Sequence, residues 1–381
     1  MKRVIILGSA YPLRGGGIAT FNERLAKAFL DEGWLVTIYS FSLQYPKMLF
    51  PGKTQISTEL PPEGLDIKVK INSINPLNWW KVGNEIKIIK PDLLVVRYWI
   101  PFMAPCLGKI SSLIRKNKHT RVVAITDNVV PHEKRPFDKA LTRYFVKSMH
   151  GFVTMSNSVR TDLVGFGITN DKIETCLHPL YDNLGSLIDR NDARKKLKIS
   201  NKDKVILFFG FIRDYKGLDI LLKSMSSPDV RKLDLKLLVA GEFYNNPKPY
   251  YDMVCQLGLN QNVVWHDNFI PNNDVATFFS AANLVVQPYK NATQSGVTQL
   301  AYHFNRPMVV TNVGALPEMV AHQKGGYVVN PDPEEIANAI KAFFVEDKEA
   351  QFSEFVREEK KKFSWKSMVE AIERAASKTK A

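Results

Sequence analysis

Between Lys290 and Glu318 the chain carries no carboxylate, although the stretch NATQSGVTQLAYHFNRP inside it has the form of a loop feeding a helix. Any chemistry there must rely on amides, hydroxyls, backbone N–H groups and the helix terminus itself, which favours an anion. No Asp-x-Asp occurs anywhere, and no His, Cys or carboxylate cluster has a metal-ligand spacing. A diphosphate held through Mg²⁺ on paired aspartates is thereby disfavoured. The three cysteines, Cys106, Cys176 and Cys255, are scattered and odd in number. They form neither a disulfide framework nor a zinc motif, and they read as buried apolar residues in a reduced, cytoplasmic setting. No apolar run is long enough to span a bilayer. The opening MKRVIILGSAYP has only a short apolar run before glycine-rich sequence, so it reads as a first buried strand and not as an export signal.

What is present is an ordinary globular composition, 45% hydrophobic and 24% charged over 381 residues, which suits two domains with a core each. The net charge of +14 favours a polyanionic partner. Half of that excess lies in residues 109–150, where ten basic residues face three acids. Between Lys134 and His150 the bases interleave with Phe137, Leu141, Tyr144, Phe145 and Met149. Two readings stand side by side: a helix lying on an anionic membrane surface, or a core-facing helix with a solvated basic face.

Strand-like and helix-like segments alternate along the whole chain. Strands are expected at 4–7, 36–39, 93–96, 122–125 and 152–155, with helices at 18–30 and 158–165. The alternation restarts with strands at 205–209, 235–240, 263–265, 284–287 and 308–311, and helices at 218–225, 275–281 and beyond Ser295. This is the grammar of parallel sheets covered by helices, repeated as two doubly wound α/β domains. The expected division is 1–180 plus a returning 365–381 for the first domain, 200–363 for the second, and a linker at 181–199. Ligands of such sheets sit beyond the carboxyl ends of the strands, so two of them facing each other would share a cleft.

Three loops fall at such strand ends. GFIRDYKGL brings Gly210, Arg213, Lys216 and Gly217 immediately before a helix, the make-up of a diphosphate clamp or, more plainly, of a solvated basic turn. Gly15-Gly16-Gly17 stands between the first strand and helix. It is no dinucleotide fingerprint, because Thr20 occupies the third glycine position, and it reads as a backbone N–H cradle or a flexible turn. DNVVPHE places Asp127, Asn128, His132 and Glu133 after the 122–125 strand. Glu242 and Glu318 are strand-end or capping acids with either a structural or a site role.

Taken in order, GGGIATFNERLAKAF, PDLLVV with WIPFMAP, NVVPHE, GFIRDYKGLDILL, LVAGE, NFIPNNDVATFFSAANLVVQPY, PMVVTNVGALPEMV and the late FSW resemble the retaining glycosyltransferases of family 4, across essentially the whole chain. The resemblance implies a GT-B fold of two Rossmann-like domains facing across a cleft. It implies a nucleotide-diphosphate sugar as co-substrate, with no other cofactor and no metal. The implied donor site comprises Gly16, Gly17, Gly210, Arg213, Lys216, Glu242, Ile270, Ser295, Gly296, Val297 and Gln299. The implied acceptor site comprises Gly16, Asn128, His132 and Glu133, and the implied catalytic set is Asp127, His132, Arg213 and Lys216. The acceptor would be a saccharide or a lipid-diphosphate in surface-polysaccharide synthesis, with 109–150 against the membrane and no nucleic acid involved. The sequence also departs from the family. The two glutamates usual around this helix start fall on Asn291 and Gln299, and the usual first-domain histidine is Asp127. Gln299 retains an acceptor oxygen for a ribose hydroxyl, while sugar contacts near Asn291 pass to Thr293, Gln294 or Glu318. A non-catalytic GT-B protein that binds nucleotide sugar or docks a partner, and an epimerase of the same architecture, are the alternatives.

Overall fold

The computed structural model describes residues 1–46, 54–130, 136–292 and 295–378. The chain divides into two compact units, Met1–Pro179 with Phe363–Ala381, and Leu180–Lys362.

In the first unit the strands are β1 (Arg3–Leu7), β2 (Leu35–Leu43), β3 (Ile67–Asn72), β4 (Leu93–Tyr98), β5 (Arg121–Thr126), β6 (Gly151–Thr154) and β7 (Ile173–Thr175). They form one parallel sheet in the order β3-β2-β1-β4-β5-β6-β7. The reversal of strand order beside β1 marks a doubly wound sheet. The helices are α1 (Gly17–Asp31), α2 (Pro76–Ile89), α3 (Ala104–Arg115), α4 (Asp138–Lys147) and α5 (Asn157–Gly165). Right-handed crossovers set α2, α3 and α4 on one face and α1 on the other. On the first face Val82, Ile86, Cys106, Leu107, Ile110 and Phe145 pack over Leu7, Tyr39, Leu94 and Val122. Ser156 caps α5, its hydroxyl accepting from the Val159 amide at 3.4 Å.

The second unit repeats the plan. Its strands are β8 (Lys204–Phe209), β9 (Leu235–Ala240), β10 (Val263–His266), β11 (Leu284–Gln287), β12 (Met308–Thr311) and β13 (Gly326–Val329). They pair in parallel in the order β10-β9-β8-β11-β12-β13. Its helices are α6 (Arg190–Lys196), α7 (Leu218–Met225), the short α8 (Pro228–Arg231), α9 (Lys248–Gln256), α10 (Val275–Ala281), α11 (Gly296–His303), the short α12 (Leu316–Met319), α13 (Pro333–Val345) and α14 (Glu349–Glu359).

The final helix α15 (Trp365–Ser377) belongs to the first unit, packing on β5, β6 and β7. Its approach is close: a Cβ on Gly151 would lie 2.4 Å from the Ala375 carbonyl oxygen. Trp365 meets Phe21 of α1 edge-on, with ring centroids 4.8 Å apart.

Residues 181–199, read from sequence as a linker, group with the second unit. They contain α6, which is tied down by buried Arg194. The Arg194 Nε donates to the Ala281 carbonyl at 3.1 Å, while Arg306 donates to those of Phe279 at 2.8 Å and Ser280 at 3.2 Å. Two guanidinium groups thus satisfy carbonyls at the buried C-terminal end of α10, where a cation is electrostatically favoured. The cysteines also differ from expectation. Cys106 is buried, but Cys176 is only partly so, and Cys255 lies on the outer face of α9.

The basic region splits. Phe145 and Met149 are core residues and Leu141 packs on that core, whereas Phe137 and Tyr144 remain exposed. The core-facing reading accounts for the inner side of α4, and the outer side keeps Lys139, Arg143 and Lys147 exposed. The outer face of neighbouring α2 exposes Leu77, Trp80 and Ile88. Among the described residues no helix is long and apolar enough to cross a membrane.

Candidate functional site

The expected clamp and the expected anion-ready helix start come together in the second unit. β8 ends at Phe209, and Gly210 turns out of it with φ +94. A Cβ there would sit 3.0 Å from the Lys216 Nζ and 3.7 Å from a Val297 methyl carbon. Glycine at 210 therefore leaves the space that the ammonium occupies, and it brings the start of α11 alongside. Gly217, with φ +70, passes so close to the Pro288 carbonyl that a Cβ would lie 1.9 Å from its oxygen. Lys216 is 5.6 Å above the ring centroid of Tyr289, whose hydroxyl is 3.2 Å from the Ser295 Oγ. The same Oγ accepts from the Val297 amide at 3.2 Å and so caps α11. Tyr181, from the stretch expected to be linker, lies against Gly296: a Cβ there would be 2.9 Å from its ring.

Electrostatically the site is poised for an anion. Lys216 is buried, and burial, with a smaller contribution from the nearby Arg213 cation, lowers its pKa to about 7. The neighbouring acids are already engaged, since the Lys290 ammonium lies 3.0 Å from both Asp214 and Asp219. Among the described residues neither Arg213 nor Lys216 pairs with a carboxylate. Among those residues no group of three His, Cys, Asp or Glu gathers as a metal site.

The other expected donor residues of the second unit lie on several of its elements. Glu242 is buried just past β9, its carbonyl accepting from the Ile212 amide at 2.9 Å. Ile270 is partly exposed in the loop after β10, while Asn291 and Glu318 are exposed. Thr293 and Gln294 lie outside the described residues. Gln299 is fully buried, and among the described residues neither its Oε1 nor its Nε2 has a hydrogen-bond partner.

In the first unit Gly16 precedes α1, and its amide donates to the Thr20 hydroxyl at 3.2 Å. The threonine in the third glycine position is thus a bonding partner of the loop. Gly16 and Gly17 are exposed and Asn128 is half-buried. His132 and Glu133 lie outside the described residues. Asp127 is buried and occupied: Arg97 Nε donates to its Oδ2 at 2.7 Å and Nη2 to its Oδ1 at 2.6 Å. A carboxylate held bidentately in this way orients and balances charge more readily than it accepts a proton. Arg97 lies 3.7 Å from the Phe21 ring centroid, and Phe21 meets His178 edge-on at 5.3 Å. Burial, and secondarily Arg97, lowers the His178 pKa to about 3, so its imidazole is neutral there. Arg97 escaped the sequence reading, although a lone arginine in the apolar strand LLVVRY is a detectable signal.

The orphaned Gln299 amide generates a stability prediction. Gln299→Met, which replaces it with an apolar chain of similar shape, is expected to raise stability by about 1 kcal/mol in urea unfolding. Gln299→Glu is expected to lower it, and by more at pH 8 than at pH 5, because an unpaired buried carboxyl has a raised pKa and opposes folding once ionised. Equal stability of all three proteins at both pH values would contradict the buried, unpaired placement.

The comparisons follow this division of the chain. The family model described as Glycosyltransferase Family 4 matches residues 15–178, and that described as Glycosyl transferases group 1 matches residues 203–345. Among curated proteins, an uncharacterized glycosyltransferase of Methanocaldococcus jannaschii is 26% identical over 192 residues, covering 49% of this chain and 48% of the relative. A D-inositol 3-phosphate glycosyltransferase of Segniliparus rotundus is 32% identical over 146 residues, covering 37% and 32%. The chain spans about half, or less, of the length of these curated relatives. Similar solved structures include a glycosyltransferase from Rickettsia africae (TM-score 0.74, 18% identity, 97% of this chain and 96% of that one). The Anabaena protein HepE in complex with UDP-glucose is another (TM-score 0.73, 16% identity, 98% of each chain). With a family match in each unit and two parallel sheets beneath them, the chain belongs to glycosyltransferase family 4 and has the GT-B fold.

Proposed function

We propose that the protein is a retaining hexosyltransferase that moves a sugar from a nucleotide-diphosphate sugar to a saccharide or lipid-linked acceptor, in the synthesis of a cell-surface polysaccharide. The observation that carries the donor half is the meeting of Gly210, buried Lys216 and the capped Ser295–Gly296–Val297 helix start. The UDP-glucose complex of the structurally similar Anabaena protein supports a uridine nucleotide as the first donor to try. Arg213 and Lys216 neutralise the diphosphate, so no metal and no further cofactor enter this reading. As the glycosidic bond breaks, charge develops on the leaving diphosphate, and the two cations stabilise it. The leaving oxygen takes the acceptor proton on the same face, which preserves anomeric configuration. This route needs positioning more than a carboxylate nucleophile, so amides at Asn291 and Gln299 are compatible with it. Gly16, Asn128, His132 and Glu133 serve the acceptor, and the Arg97–Asp127 pair holds the first-unit strand ends in place.

A thermal-shift panel of UDP, GDP, ADP and CMP, without metal, tests the donor site. One diphosphate at a hundredfold excess over its Kd is expected to stabilise the wild type by about 2.7 kcal/mol. Arg213→Ala is expected to lose most of that shift. The matching nucleotide sugar should be consumed in the presence of EDTA, with the product keeping the donor's anomeric configuration. Stabilisation without turnover on any acceptor would favour the non-catalytic binding reading, and no stabilisation by any of the four would overturn donor binding.

Lys216 gives the pH dependence its sign. With a free-protein pKa of about 7, it is largely neutral at pH 8 and must take up a proton to meet a diphosphate. Affinity is therefore expected to fall above pH 7, by up to about tenfold per pH unit until the bound-state pKa is passed. Calorimetry in buffers of different ionisation enthalpy should detect close to one proton taken up at pH 8 and little at pH 6. Lys216→Met should abolish the uptake.

The basic surface of α3 and α4, with the exposed Leu77, Trp80 and Ile88 of α2 beside it, suits the anionic inner face of a membrane. Phosphatidylglycerol vesicles should pellet the protein at low salt, and phosphatidylcholine vesicles should not. Leu77→Ser/Trp80→Ser is expected to weaken binding without changing thermal stability, since both side chains are exposed. Equal binding to the two vesicle types would overturn this surface.

A further inference from the structure

We infer that the face of the Tyr244 ring is the shelf that positions Arg213. The inference rests on the reading of Arg213 as a diphosphate ligand. Arg213 is exposed and lies at the tip of its loop, where a long, flexible side chain would ordinarily sample many rotamers. Its neighbour Lys216 is also cationic, so in the absence of a ligand like-charge repulsion pushes Arg213 away from the locus both must serve. Tyr244 opposes both tendencies, because the guanidinium carbon sits 3.8 Å from its ring centroid. A guanidinium lying flat on a ring uses its π face there and keeps every N–H edge available in its own plane. Stacking and bidentate phosphate binding are therefore compatible, and the first prepares the second.

The ring is itself held. The β8–β9 ladder continues past both strands into the two loops: the Gly210 amide donates to the Ala240 carbonyl at 2.8 Å, Ile212 to Glu242 at 2.9 Å, and Tyr244 to Ile212 at 2.9 Å. Ile212 and Phe243 form a parallel bridge. Two glycines permit this closeness, since a Cβ on Gly241 would fall 2.2 Å from the Gly210 carbonyl oxygen. Next to Tyr244, Phe243 wedges among Tyr250, Tyr251 and Trp265, at ring separations of 5.5, 5.8 and 5.9 Å. The Tyr251 hydroxyl donates to Asp267 and closes that cluster. The backbone on either side of Tyr244 is thus fixed relative to Arg213, and an aromatic ring at 244 has a defined place to stand.

A double-mutant cycle on diphosphate binding tests this, read by calorimetry with the three nucleoside diphosphates UDP, GDP and ADP. Tyr244→Ala and Tyr244→Leu are each expected to weaken binding roughly 2- to 5-fold, the range of an exposed cation–π contact. Tyr244→Phe, which keeps the ring, should stay close to wild type. In the Arg213→Ala background, Tyr244→Ala should cost nothing further, because the residue acts through Arg213. Unchanged melting temperatures keep these results free of folding defects, and the Phe variant serves as the rescue. Full affinity in Tyr244→Leu would overturn the ring-face role. An equal loss in both backgrounds would show that Tyr244 touches the ligand itself, and would overturn it as well. If Arg213→Ala leaves binding intact, the diphosphate reading of Arg213 fails first. If it weakens binding while Tyr244→Ala does not, only the shelf fails.

Discussion

A parallel strand can be followed by its neighbour only through a crossover that returns the chain to the opposite end of the sheet. Within each sheet every loop that leaves a strand therefore leaves at the same edge, and residues distant in sequence must meet there. Gly210 follows β8, Glu242 follows β9, Tyr289 follows β11, and Gly314 with Glu318 follow β12. In the first unit Gly8, Arg97 and Asp127 sit at the corresponding ends of β1, β4 and β5. Side-chain chemistry adds selectivity, but the convergence itself is a property of the parallel ladder.

What converges differs between the units. The first unit neutralises its buried charge internally, with Arg97 spent on Asp127 and sandwiched against Phe21. The second leaves its charge unspent. Lys290 engages Asp214 and Asp219, and Lys216 is buried beside Tyr289, paired with no carboxylate among the described residues. Burying an ammonium in this way is unfavourable, and Lys216 responds by giving up its proton more easily. An incoming anion would relieve that penalty. A negative ligand thus offsets strain that the fold has already accepted.

The sequence revealed the interior better than the borders. All the central strands that read as apolar runs are present, within a few residues of the expected bounds. The strands that went unread, β3, β7 and β13, each lie at a sheet edge. In β3, IKVKIN, lysines alternate with aliphatic residues because only one face is covered. β7 has just three residues, and β13 opens on a glycine. At the site, glycines and bases announced the clamp, since both types follow from backbone approach and charge. Tyr289, Tyr244 and Tyr181 gave no such signal. Their contribution is position, fixed by register and crossover geometry that local pattern does not carry. Asp127 was legible as a strand-end acid, but its commitment to Arg97 depended on β4 and β5 being neighbours.

The second unit, Leu180–Lys362, interrupts the first, whose last helix is supplied only after it. Trp365 of that helix completes the packing around Phe21, and Ala375 closes against Gly151. On a ribosome, the sheet of the first unit therefore emerges before the second unit but waits with one flank uncovered until residues 180–362 have been made and α15 follows. Synthesis order and completion order are inverted. The unit that begins last in the chain can finish its own core first, and the apolar flank of β5–β7 is the surface that nascent-chain chaperones would have longest to find.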